Sequence, residues 1–246
     1  MTQHHDPQDR TATPPTGQAS TTDPPSDSLR YTRVVLRPVA NPFALGFLGL
    51  AGATLTTSGL ELGWIPDGQR MQVALIVMIF APPLQLIACF FGFLSRDPVA
   101  ATGMGLLAAS WEVVGVTLLV SAPGSHSAAL GTVLLLAAAA LLLSAGIAAM
   151  SKGVPALVLG VAGLRFLATG LYEIIGTAPV KVAAGGVGCA LAALAVYGAV
   201  ALEIEGVVHR PVLPTLRRGP GRTALDPDLA EQVKQVAAEP GVRTQL

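Results

Sequence analysis

Charge is what this sequence has least of. Asp, Glu, Lys and Arg supply 12% of its 246 residues, against about 25% in soluble domains. That excludes an ordinary soluble domain, and the 52% hydrophobic content and mean hydropathy of +0.60 agree. Formal net charge is zero, so nothing points to nucleic acid, whose binding rests on Lys and Arg neutralising phosphates. Cysteine is nearly absent. Cys89 and Cys189 both lie inside apolar segments and read as packing residues, with no disulfide framework. No Cys/His cluster has metal spacing, and His4 and His5 sit in a polar stretch. No nucleophile–base pair and no phosphate-binding loop occur. Ser110 beside Glu112 lacks a histidine to complete a catalytic arrangement, so neither an enzyme nor a cofactor is expected.

What is there instead is six long apolar segments, at about 42–62, 71–95, 98–121, 128–150, 154–176 and 182–204. Each approaches the roughly 20 residues that cross a bilayer as a helix. They do not alternate apolar and polar residues, so a transmembrane barrel is excluded. The expected fold is an all-α integral membrane protein, with six transmembrane helices around a pathway within each protomer.

Three regions follow from composition. Residues 1–38 begin rich in Pro, Thr, Ser, Gln and Asp and predict a disordered cytoplasmic tail. No apolar h-region follows the start, so a signal peptide is not expected. Residues 39–205 hold the six spans. Residues 206–246 predict a second cytoplasmic tail. In it Asp226-Pro227 can open a short amphipathic helix with Leu229, Val233 and Val236 on one face. Arg30, Arg33, Arg37, Arg96, Lys152, Arg210, Arg217, Arg218 and Arg222 fall on one side of the membrane, and only Arg70 and Lys181 on the other. That bias places both termini in the cytoplasm of a multi-pass protein of the plasma or inner membrane.

The first span, within Asn41–Gly63, is the most informative. Gly46, Gly49 and Gly52 make a smooth face on which a neighbour can pack closely. Thr54, Thr57, Ser58 and Glu61 form a polar stripe at helical spacing, which lipid cannot satisfy and which must face protein or water. Elsewhere, Pro82-Pro83 removes backbone donors and predicts a kink in the second span. Gln85 follows, placed to satisfy freed backbone groups or to line the path.

Two charges fall near mid-membrane depth, Glu112 in the third span and Arg165 in the fifth. Their depths differ by about 5 Å at 1.5 Å per residue, so they are expected to pair. The pair reads equally as a fixed structural link or as an anion site in which Arg165 attracts a carboxylate and Glu112 tunes it. Thr169 and Tyr172 extend a polar stripe from Arg165. Glu61 and Glu173 lie near helix ends, where solvated charge is ordinary. Trp111 is too deep for an interfacial belt and is expected in the core or as a wall of the pathway.

Asn41-Pro42, Leu45-Gly46 and Gly49, together with Tyr197, Glu203 and the run Arg210–Pro214, resemble the opening signature and closing segment of the acetate uptake transporter family. That family includes the succinate–acetate permeases of bacteria and fungi. The resemblance covers about 40–215. It implies a hexamer in which each six-helix protomer conducts small carboxylates past a constriction built from the first, third and fifth helices. By motif offset the constriction maps to Leu50, to Ser110–Trp111 and to Leu164–Arg165. Phe43 and Ala44 depart from the small residue and proline usual within the signature. The first helix also lacks the expected aromatic, and charges lie nearby.

The function expected from these readings is passage of a small carboxylate such as acetate or succinate, alone or with a proton, through a homo-oligomer in the lipid bilayer. The alternative is a non-transporting membrane scaffold or sensor that retains the permease fold.

Overall fold

The computed structural model describes residues 40–208 and 210–219. The predicted disorder of 1–38 and the amphipathic helix after Asp226 lie outside the described residues. The fold is all-α and membrane-spanning. Its six long helices are α1 Phe43–Leu62, α2 Arg70–Leu94, α3 Pro98–Val120, α4 Ala128–Ala148, α5 Gly153–Ile175 and α6 Ala178–Val208. Each is long and apolar enough to cross a membrane. A short 3-10 turn, Asp67–Gln69, leads into α2.

Local chemistry sets the helix ends. Asn41 Oδ1 accepts the Phe43 N–H at 3.0 Å as α1 begins. The Asp97 carboxylate accepts from Ala100 N at 3.2 Å, with Pro98 as the first residue of α3; a proline there forfeits no helical hydrogen bond. Ser127 caps α4 through Leu130 N at 3.2 Å. Helices α1 and α5 both stop at a left-handed glycine, Gly63 (φ 81°) and Gly176 (φ 74°), a conformation that costs a Cβ-bearing residue energy. Helix α2 continues through Pro82 and Pro83.

Each helix touches its two sequence neighbours, and α6 closes against α1, so the six form a ring. The odd-numbered helices also meet across it, α1 reaching α3 and Trp111 of α3 packing on Phe166 of α5. Small residues permit the close crossings. Gly46, Gly49 and Gly52 of α1 face Ala88, Leu84, Ala81 and Phe80 of α2. Gly131 of α4 lies against the backbone of Gly170 in α5. Large apolar side chains such as Ile79, Leu136 and Leu143 remain more than 70% exposed on the outer surface, where a bilayer would cover them.

One end of the bundle is strapped. The predicted tail from 206 begins inside α6, and the chain after it folds back over the start of α5. Gly153 N donates to Leu216 O (3.1 Å), Val154 N to Thr215 O (3.3 Å) and Arg218 N to Ser151 O (3.0 Å). The carbonyls of the strap thereby satisfy donors that a helix start leaves unpaired. Buried Glu205 holds the strap through an ion pair with Arg217 and a 2.7 Å hydrogen bond from Thr215. Asp97 pairs with Lys152 at the same end.

Candidate functional site

At the opposite end a cavity of about 960 Å³, counting its open mouth, lies between α1, α3 and α5. The polar stripe of α1 supplies one wall. Thr57 and Glu61 are one turn apart on the same face, and both line the cavity. Arg165 of α5 reaches them from across the bundle while only 1% exposed. Its Nη2 donates to Glu61 Oε1 at 2.9 Å and to Thr57 Oγ1 at 3.2 Å. Its Nη1 donates to Thr169 Oγ1 at 2.8 Å. Glu61 Oε2 stands 2.8 Å from Nη2 within the ion pair but accepts no hydrogen bond among the described residues.

The inner end of the cavity is aromatic. Trp111 and Phe166 meet edge to face, with ring centroids 5.3 Å apart, and both are buried. The mouth carries Asp67, Arg70, Glu173 and Lys181. Glu173 accepts the Ser127 N–H at 2.8 Å, and Arg70 Nε donates to Leu118 O at 3.3 Å. Tyr172 at the wall stacks edge-on against His126, centroids 4.9 Å apart.

Behind Arg165, α6 comes close. A Cβ on Gly188 would stand 2.0 Å from Ser58 Oγ and 2.8 Å from Arg165 Nε, so only glycine leaves room there. Thr54, fully buried, points its hydroxyl at Gly188 O at 3.5 Å. Ser58 Oγ and Arg165 Nε have no hydrogen-bond partner among the described residues.

The expected pairing of Arg165 with Glu112 is not what the structure forms. Glu112 is exposed on the outer face of α3, because its neighbour Trp111 points inward and successive helical residues turn by about 100°. Arg165 instead extends along its own helix to the level of Thr169, about 6 Å of rise, and meets Glu61. Leu164 is corrected by the same rotation. It is 49% exposed on the outside, while Phe166 turns inward beside Trp111.

The other candidate residues are dispersed. Trp111, Arg165 and Thr169 line the cavity. Leu50 is fully buried, about 10 Å of helical rise from Thr57. Gln85 is fully buried, with neither amide atom hydrogen-bonded among the described residues. Ser110 Oγ donates to Leu106 O of its own helix at 2.8 Å. Gly46 packs on Met104 and Ala88. Asn41, Pro42 and Leu45 lie at the strapped end of α1, where Asn41 lines a small separate cavity with Lys152, Thr215 and Arg217. Phe166 and the Glu61 partnership escaped the sequence reading. The signal for Glu61 was present, since it continues the Thr54–Thr57–Ser58 stripe.

No protein-family model matches the sequence, and no curated protein does either. Among solved structures the chain is similar to the bacterial acetate channel SatP, with a TM-score of 0.64 and 22% identity over 72% of this chain and 99% of that one.

Proposed function

We propose that this chain forms a transmembrane pathway for small carboxylate-bearing solutes, entered through the cavity between α1, α3 and α5. The observation that carries the reading is Arg165: a guanidinium 1% exposed at the wall of a cavity that opens at one end of the bundle. An ionisable group at that depth is costly and marks a solute path more often than a packing position. The fold likeness to an acetate channel supports a small anion as the cargo, and the opening signature at Asn41–Gly49 points the same way.

In this reading Arg165 receives the carboxylate. Thr57 and Thr169 hold the guanidinium in place, and Trp111 with Phe166 forms the apolar step beyond it. Leu50 and Gln85 line the onward route through the core. Glu61 already occupies one edge of the guanidinium, so an entering carboxylate must bring a compensating positive charge. Arg96, Lys152, Arg217 and Arg218 crowd the strapped end, a bias that supports a cytoplasmic strapped end and a cavity entered from the outer side.

Glu112 bears on assembly. It is exposed midway along α3, where contact with lipid would cost about 2.5–3.5 kcal/mol on insertion scales. We read that face as covered by a further copy of the chain.

Uptake of labelled acetate, succinate, lactate and glycine into proteoliposomes tests the function. Arg165→Gln combined with Glu61→Gln removes the charge without leaving either partner alone. Uptake by the wild-type chain, lost at least tenfold in a folded double variant, is the expected result. Wild-type uptake of no carboxylate-bearing solute above protein-free vesicles overturns the reading.

A further inference from the structure

The positive charge that accompanies the carboxylate has a specific source. Resting on the carboxylate reading above, we infer that the solute carries that charge itself: a small zwitterion, an amino acid with its carboxylate on Arg165 and its ammonium on Glu61.

The cavity's charge balance is the first observation. Its lining holds three acids, Glu61, Asp67 and Glu173, and three bases, Arg70, Arg165 and Lys181. A cleft that concentrates anions carries a field of one sign. This one carries both, so it favours neither anions nor cations over a solute whose own charges cancel.

The second observation is the valence left at the inner pair. Among the described residues Arg165 Nη1 makes one hydrogen bond, to Thr169, and a guanidinium nitrogen of that kind has a second hydrogen to give. Glu61 Oε2 accepts none among the described residues although it is buried. A donor and an acceptor of opposite charge, ion-paired at 2.8 Å, therefore stand side by side, each with hydrogen-bonding capacity left. A plain carboxylate at Nη1 gains one attraction and meets the Glu61 carboxylate as a like charge at short range. A solute with an ammonium a few ångströms from its carboxylate closes an alternating ring of four charges and gains at both positions. Trp111 and Phe166 line the same cavity as the pair, and an aromatic face attracts a cation further. The proton is the competing carrier. It would neutralise Glu61 and turn its spare oxygen into a donor, so a proton gradient separates the two carriers.

The test uses the full chain in proteoliposomes. Labelled glycine, β-alanine and acetate are supplied at equal concentration, first at equal pH and then with an inward proton gradient. Uptake of glycine or β-alanine at least tenfold above acetate, unchanged by the gradient, is expected. Unlabelled glycine should compete, and methylammonium, which lacks the carboxylate, should not. Glu61→Gln, checked for an unchanged elution profile, should lower amino-acid uptake at least tenfold. Acetate uptake that exceeds both amino acids and rises with the gradient overturns the zwitterion and leaves the carboxylate reading standing, with a proton as the partner charge. Amino-acid uptake indifferent to Glu61→Gln in the folded variant also overturns it. Movement of none of the three solutes sinks it together with the function it rests on.

Discussion

Arg165 of α5 and Glu61 of α1 lie 2.8 Å apart as an ion pair, 104 residues apart in sequence and with Arg165 nearly sealed from solvent. Removing one member strands the other in a low-dielectric place, which costs about 3–5 kcal/mol in buried pairs. Arg165→Leu and Glu61→Leu should therefore each lower thermal stability in detergent strongly. The double substitution should recover much of the loss. Strictly additive losses would show that the two charges are not coupled.

Gly188 is a contact of a different kind. Its missing Cβ leaves room for Ser58 Oγ, which an added methyl would approach to 2.0 Å. Gly188→Ala should cost about 1–3 kcal/mol through overpacking and should displace Arg165 as well. Gly186, one residue past Gly185 on an exposed face with nothing within 4 Å, is the control. There alanine should be neutral or stabilise by up to about 1 kcal/mol. Melting curves of the two variants decide it, and equal behaviour would contradict the close packing of α6 on Arg165.

The strap after α6 depends on Glu205, buried and bound by both Thr215 and Arg217. Glu205→Leu removes the acceptor shared by Thr215 and Arg217 and should loosen the strap at a cost of about 1–3 kcal/mol. Limited proteolysis reads this directly, with new cleavage appearing at Arg217 and Arg218. Unchanged resistance there would mean that the backbone bonds to Gly153 and Val154 hold the strap unaided.

Glu112 should behave unlike the inner pair. Exposed on α3, it contributes nothing to the cavity, so Glu112→Gln should leave the Arg165–Glu61 coupling intact. Its effect should fall on assembly, changing the distribution of oligomers seen by light scattering in detergent. A distribution identical to that of the wild-type chain would count against a subunit contact at that face.

The six spans were legible in the sequence because they depend on local quantities, although the sixth helix runs Ala178–Val208 where 182–204 was expected. An apolar run near 20 residues, an Asp-Pro at 97–98 and a glycine at 63 or 176 fix where a helix starts, crosses and stops, whatever it packs against. The glycine face of α1 was legible for the same reason, as was the polar stripe from Thr54 to Glu61. Which partner each polar group finds was not local. Sequence depth suggested that Arg165 and Glu112 meet. One residue of rotation put Glu112 outside with Leu164 and turned Trp111 and Phe166 in, and the length of the arginine side chain carried its charge a full turn toward Glu61. Rotation about the helix axis is set by packing in the ring, through the α2 contacts of Gly46, Gly49 and Gly52 and the α6 contact at Gly188. Likewise residues 210–219 carry no periodic signal, and the donors left open at Gly153 and Val154 explain why they fold back as a strap. The sequence by itself determined a six-helix membrane fold with a polar stripe on its first helix. The tertiary structure decided which charges face each other, because that depends on helix rotation and side-chain reach, quantities that no stretch of sequence holds alone.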